Sequence, residues 1–278
     1  MLCRSSICAT ALAATLSMAL APASASDASK PPDLNGQWSR AHPRSQWDPS
    51  KPRGLAQQAP LTAEYQAIFE ANLKSLHAGN LGADPQVFCL PTGMPRMMIA
   101  YEPMEVIVTP EVTYIRVDHL ADFRRIYTDG RDWPSELKPT FDGYSIGKWM
   151  EPDGAGRYGV LEVETRGLKG PRTLDADGLP LHKDNRTVVK ERISLDAANR
   201  DRLHDEITTV DHAFTRPWTV TRDYNREPHP LWPEFLCTEA NNHVPIGNQF
   251  YFRGGDGFLM PAYKDQPPPD LRNFTPPR

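Results

Sequence analysis

The chain holds 278 residues, 39% of them apolar and 24% charged, with 28 prolines and a formal net charge of -4. That balance excludes a disordered, collagenous or coiled-coil chain. No run of Lys and Arg supports a phosphate-tracking surface, so nucleic acid is not an expected partner.

Arg4 precedes a stretch from Ile7 to Ala21 built almost wholly of Ala, Leu, Met, Ser and Thr, and Ala23-Ser24-Ala25 follows as a small-residue cleavage site. This pattern predicts a secretory signal peptide over residues 1–25. The run is too short and too rich in Ala and Ser for a membrane anchor, and no other run is long enough to cross a bilayer. The expected location is therefore periplasmic or secreted, after cleavage near Ala25. Cleavage removes Cys3 and Cys8 and leaves Cys89 and Cys237 in an oxidising compartment. One Cys89–Cys237 disulfide is the economical reading, and two buried free thiols are the alternative.

Residues 26–60 are polar and Pro-rich and read as an extended arm, with a first strand near 35–39 around Gly36-Gln-Trp38. In LTAEYQAIFEANLKSLHAG the residues Tyr65, Ile68, Phe69, Leu73 and Leu76 fall near helical spacing. Thr62 can cap the start and Gly79 the end, which predicts one amphipathic helix near 62–77 covering a sheet face or barrel end. Proline, well above its usual share of about 5%, disfavours further long helices because each one removes a backbone donor. Short β-type runs follow: 104–109 and 112–118 joined through Pro110-Glu111, then 123–128 stopping at Asp129-Gly130. Hairpins are expected from 143–149 to 158–165 and from 187–195 to 203–211, and further strands at 218–224 and 249–252. With the first strand this makes about 8–10 strands in one antiparallel β-domain over 61–263, enough for closure into a barrel. Residues 264–278 read as a Pro-rich extended tail.

Residues of equal parity share a strand face. Phe123, Arg125 and Tyr127 oppose Arg124 and Ile126; Trp218, Val220, Arg222 and Tyr224 share one face; Tyr158, Val160, Glu162 and Glu164 oppose Leu161 and Val163. A face mixing rings and charges either lines a polar-aromatic pocket or meets solvent, and the pocket is the favoured reading. Arg125, Tyr127, Trp149, Arg222 and Tyr224 are then wall residues, with Tyr144 and His182 as orienting groups.

Two polar clusters stand out. In Cys237-Thr-Glu239-Ala-Asn241-Asn-His243 the alternate residues align if the segment is extended. Zinc-type ligands are present, but no second ligand cluster accompanies them, so no metal is expected; Glu239 and His243 can instead share a proton. In His182-Lys-Asp184 the imidazole and carboxylate can pair for general-base work, or Asp184 can simply close a turn. Ser145 lacks the strand-turn-helix setting of a hydrolase nucleophile. Neither a phosphate loop nor a dinucleotide fingerprint is present, so no cofactor is expected.

Taken together, DLNGQW, CLPTGMPR, RRIYTDGR, GYSIGKW, VETRG, PLHKDNRTVVKERI, RPWTVTRDY and CTEANNH resemble a family of exported bacterial proteins of unassigned function. The resemblance spans about Leu34 to Tyr263 and implies the handling of small organic compounds. Gly36-Gln-Trp38 is also similar to the first-strand G-x-W of lipocalins, where the Trp plugs one barrel end beneath an Arg of the last strand. That similarity implies a lipocalin-like barrel with Arg222 in the Arg role. The expected function is periplasmic binding of a small aromatic or apolar molecule in a polar-aromatic barrel pocket. A cofactor-independent lyase, isomerase or hydrolase using His182, Asp184, Glu239 and His243 is the alternative, and the meeting of those four side chains around one cavity would favour it.

Overall fold

A computed structural model describes residues 30–42, 47–48, 50–51, 55, 59–78, 83–117, 122–151, 158–170, 172–232, 243–246, 249–253 and 258–272. The expected signal peptide, Gly79, Cys237, Glu239 and the end of the tail lie outside the described residues, as does the side chain of His243.

Nine strands close into a barrel in chain order. They are β1 (Gly36–Arg40), β2 (Met104–Val108), β3 (Val112–Val117), β4 (Asp122–Tyr127), β5 (Tyr144–Met150), β6 (Val160–Arg166), β7 (Val188–Leu195), β8 (Arg202–Val210) and β9 (Trp218–Arg226). Closure comes from β1, which pairs antiparallel with both β2 and β9. The expected all-β barrel with one helix is therefore present. Two features of the expected topology change. The β4–β5 pair is parallel and shares only Ile126↔Ser145 and Tyr127↔Ile146, because the chain between Tyr127 and Tyr144 crosses over instead of turning back. The strand expected at 249–252 belongs to a separate antiparallel sheet of β10 (His243–Ile246), β11 (Gln249–Arg253) and β12 (Leu259–Pro261), not to the barrel.

Alternation builds the interior. Val189, Glu191, Ile193 and Leu195 of β7 are buried while Lys190 and Arg192 are exposed, and Leu203, Asp205, Ile207 and Thr209 of β8 follow the same rule. At the narrow β4–β5 seam Gly147 faces inward; a Cβ there would lie 2.7 Å from Ile126 Cγ2 and 3.0 Å from Leu161 Cδ1. A side chain at 147 would push the two strands apart.

The helix α1 (Ala63–His77) begins where Thr62 Oγ1 accepts the Tyr65 N–H at 3.4 Å. The Thr62 N–H donates to Ala213 O at 2.8 Å, which ties the helix to the β8–β9 connection. Tyr65 and Phe69 are buried, and Asn72 Nδ2 donates to Gly178 O at 2.8 Å. The helix thus covers the barrel end at which β8 finishes. Among the described residues no helix is long and apolar enough to cross a membrane.

The opposite end carries the G-x-W element. Trp38 is fully buried and its Nε1–H donates to Leu34 O at 2.9 Å. The arginine above it is Arg226, not the expected Arg222: its guanidinium lies 4.3 Å from the Trp38 ring centroid. Register decides this, since Trp38 sits opposite Arg226 across the β1–β9 pair. Arg226 also donates to the carbonyls of Asn35 and of Asp33 (2.8 Å) and bonds Asp201 at 3.0 Å.

Candidate functional site

The barrel interior is filled. Arg124 enters it from β4 and forms a bidentate pair with Glu191 of β7, Nη1 to Oε1 at 2.8 Å and Nη2 to Oε2 beside it, with both side chains at most 1% exposed. Its Nε donates to Ser145 Oγ at 3.1 Å and its Nη2 to Thr165 Oγ1 at 2.8 Å. One guanidinium therefore joins β4, β5, β6 and β7 across the two-pair parallel seam. Arg222 is fully buried and donates to Trp47 O at 3.2 Å; Tyr224 is buried and donates to Met98 O at 2.6 Å.

Asp205 of β8 lies among these groups, fully buried, with neither carboxyl oxygen hydrogen-bonded. Burial pushes its pKa well above the carboxylate range and the Glu191 charge adds to the rise, while Arg124 and Arg222 pull the other way. The void it borders, with the unbonded Thr113 hydroxyl and Leu34, Met98 and Ile115, has a volume of about 10 Å³. That is room for no more than one water.

The expected wall residues divide. Arg222 and Tyr224 face inward but are packed. Trp149 faces inward at the barrel mouth and packs on the core. Arg125, Tyr127 and Tyr144 are corrections: they lie on the outer face. Arg125 is exposed and stacks over Phe123 at 4.7 Å. Tyr127 packs at a tilt against Tyr144, with ring centroids 4.9 Å apart, beneath Arg131, whose guanidinium lies 3.8 Å from the Tyr127 centroid. The inward parity on β4 is that of Arg124 and Ile126, because Glu191, Ser145 and Thr165 satisfy the buried guanidinium. Glu162 and Glu164 likewise point outward and pair with Arg192 and with Arg166 and Lys190.

An open cleft of about 1220 Å³ lies at the G-x-W end, beside the β4–β5 seam. The 30–35 segment and the β2–β3 turn at Pro110 form one side, and Ile146, Lys148, Trp149 and Tyr158 form the other. Its walls mix aromatic, aliphatic and a few polar side chains, and among the described lining residues the cations of Lys30, Arg131 and Lys148 face one carboxylate, that of Asp33.

At the helix-covered end, His182 and Asp184 meet a third residue, His212. Asp184 Oδ2 lies 3.1 Å from His182 Nδ1 and 2.5 Å from His212 Nδ1. The Arg186 N–H donates to Asp184 Oδ1 at 3.0 Å, so Asp184 also closes a turn. That bond and the two histidines hold the carboxyl down at about 2 against the opposing effect of desolvation. Tyr65 covers the His182 ring at 5.3 Å. His212 has no signal at short range in the sequence; it stands 28 residues beyond Asp184 and is delivered by the Val188↔Val210 register of β7 and β8. The four expected acid-base groups are not seen to converge, since Glu239 and the His243 side chain fall outside the described residues. Cys89 caps a short 3-10 turn, and its expected partner Cys237 is likewise outside them.

No family model matches the chain, and no curated protein matches it.

Proposed function

We propose that this barrel is an exported, lipocalin-like binding protein that takes a small aromatic or apolar organic molecule with an anionic group in the cleft at the G-x-W end. The carrying observation is the contrast between an open cleft of about 1220 Å³ and a barrel interior packed with Arg124, Glu191, Asp205, Arg222 and Tyr224, where the void beside Asp205 measures about 10 Å³. Ligand pockets ordinarily measure ~300–1,000 Å³, a scale that the cleft reaches and the void beside Asp205 does not. Trp149 and Tyr158 supply ring surface, Pro31, Pro32 and Ile146 supply apolar wall, and Lys30 and Lys148 attract the anion.

Binding is favoured over acid-base catalysis because the His182–Asp184 pair, the expected acid-base couple, sits at the other end of the barrel. Trp149 pairs with Leu161 near the β5–β6 turn, whereas His182 hangs from Asp211, just past the far end of β8. Export rests on the signal-peptide pattern of residues 1–25, and a Cys89–Cys237 disulfide accords with that compartment.

The probe 8-anilinonaphthalene-1-sulfonate, a small aromatic anion, tests the cleft. It should bind the folded protein saturably, and Trp149→Ala should weaken it by about tenfold, the loss of one aromatic anchor worth ~1–2 kcal/mol. Arg125→Ala, on the outer face, should leave it unchanged. Equal binding by wild type and Trp149→Ala overturns the cleft assignment.

A further inference from the structure

We infer that His182, Asp184 and His212 form a binding site for one first-row transition-metal dication, of which zinc is the representative. This inference is independent of the cleft and departs from the sequence expectation of no metal.

The first support is geometric. His182 Nδ1, Asp184 Oδ2 and His212 Nδ1 all lie within 4.8 Å of one another. Zinc holds such atoms at about 2.0–2.2 Å each, so small rotations of three side chains bring them to one centre. The loops that carry them are already fixed. Asp211 Oδ1 accepts the N–H of His182 (2.9 Å) and of Ala213 (2.8 Å), and its Oδ2 accepts the Thr187 hydroxyl at 2.6 Å. One carboxylate thereby locks the residues on either side of the cluster.

The second support is convergence on one oxygen. His182 Nδ1 stands 3.1 Å and His212 Nδ1 2.5 Å from Asp184 Oδ2, so both imidazoles turn a ligating ring nitrogen toward the same carboxylate atom.

The donor set selects the metal class. Two imidazoles and one carboxylate suit zinc, cobalt, nickel or copper, whereas magnesium and calcium prefer all-oxygen shells. Three protein ligands leave a fourth position for water or for an incoming ligand atom. His212 is 60% exposed, which opens that position to solvent and gives the metal its entry path.

The test is zinc titration of the EDTA-treated, full-length protein by calorimetry, with cobalt absorption as a second readout. Wild type should bind one zinc that His212→Ala and Asp184→Asn each weaken at least ~10-fold, since even outer-shell changes at metal sites cost about 10–100-fold. The exposed position of His212 makes its variant a fair one, and unchanged far-UV circular dichroism confirms its fold. His229→Ala, remote from the cluster, should bind as wild type, and magnesium should not compete. Zinc affinity unchanged in His212→Ala, or no zinc binding by the wild type, overturns the inference.

Discussion

Arg124→Met leaves the Glu191 carboxylate inside the barrel with its cation gone. Glu191 is fully enclosed and its two oxygens are both engaged by Arg124, so the variant exposes it to the full cost of an uncompensated buried charge. Breaking one side of such a pair costs about 3–5 kcal/mol. Ser145 and Thr165 still bond each other at 2.8 Å, so their hydroxyls add little further loss. For a domain of this size about 2–4 °C of midpoint accompanies each kcal/mol, which places the expected fall at roughly 6–20 °C. The double variant Arg124→Met/Glu191→Leu removes both charges together and should recover most of the loss, because the desolvation of two ions disappears with their attraction. Thermal and urea unfolding, followed by circular dichroism on wild type, both single variants and the double variant, closes the cycle. Single variants costing under about 1 kcal/mol, as an exposed pair would, would show that the guanidinium does not hold the β4–β5 seam.

Other outcomes follow from the same interior and its rims. Asp205 has a raised folded-state pKa, so the folded state keeps its proton more tightly than the unfolded chain. Stability should therefore fall as pH rises from about 4 through the folded value, and Asp205→Asn should flatten that slope and match or exceed wild type at neutral pH; a variant less stable at pH 7 refutes a protonated or strained Asp205. His204 bridges Asp223 (2.6 Å) and Asp196 (3.0 Å), and Asp196 raises its pKa most. Its contribution should be complete below about pH 6.5 and vanish as pH rises through the folded value, with His204→Gln abolishing the effect, at most ~1 kcal/mol for so exposed a group. Arg226→Lys should cost nearly as much as Arg226→Ala, about 1–3 kcal/mol, because an ammonium cannot stack on Trp38 and reach Asp33 O and Asp201 together; full rescue by Lys in urea denaturation would reduce Arg226 to a point charge. Thiol titration of denatured, unreduced protein purified after export should find no free Cys89, and a reactive thiol would remove the expected disulfide.

Periodicity and turn residues carried the local structure. The strand at 188–195, the helix capped by Thr62 and the turn at Pro110-Glu111 are each set by neighbours within a few residues. Parity also sorted β4 into two faces, Phe123/Arg125/Tyr127 and Arg124/Ile126. It carried no information on which face is inside. That choice depends on Glu191, 67 residues away, because an arginine can be buried only where another strand brings its carboxylate. Composition alone favours the ring-rich face, and Tyr127 of β4 and Tyr144 of β5 instead pack against one another, tilted, on the outside.

The same limit applies to the sites. His182 and Asp184 share a loop and were legible as a pair, but their partner His212 arrives through the hairpin register. The G-x-W signal was legible in three residues, yet strand pairing across the whole barrel selected Arg226 over Arg222. What the chain encodes locally is which residues can share a face or a turn. Closure of nine strands decides which of those faces loses its water, and that decision is a property of all the strands at once.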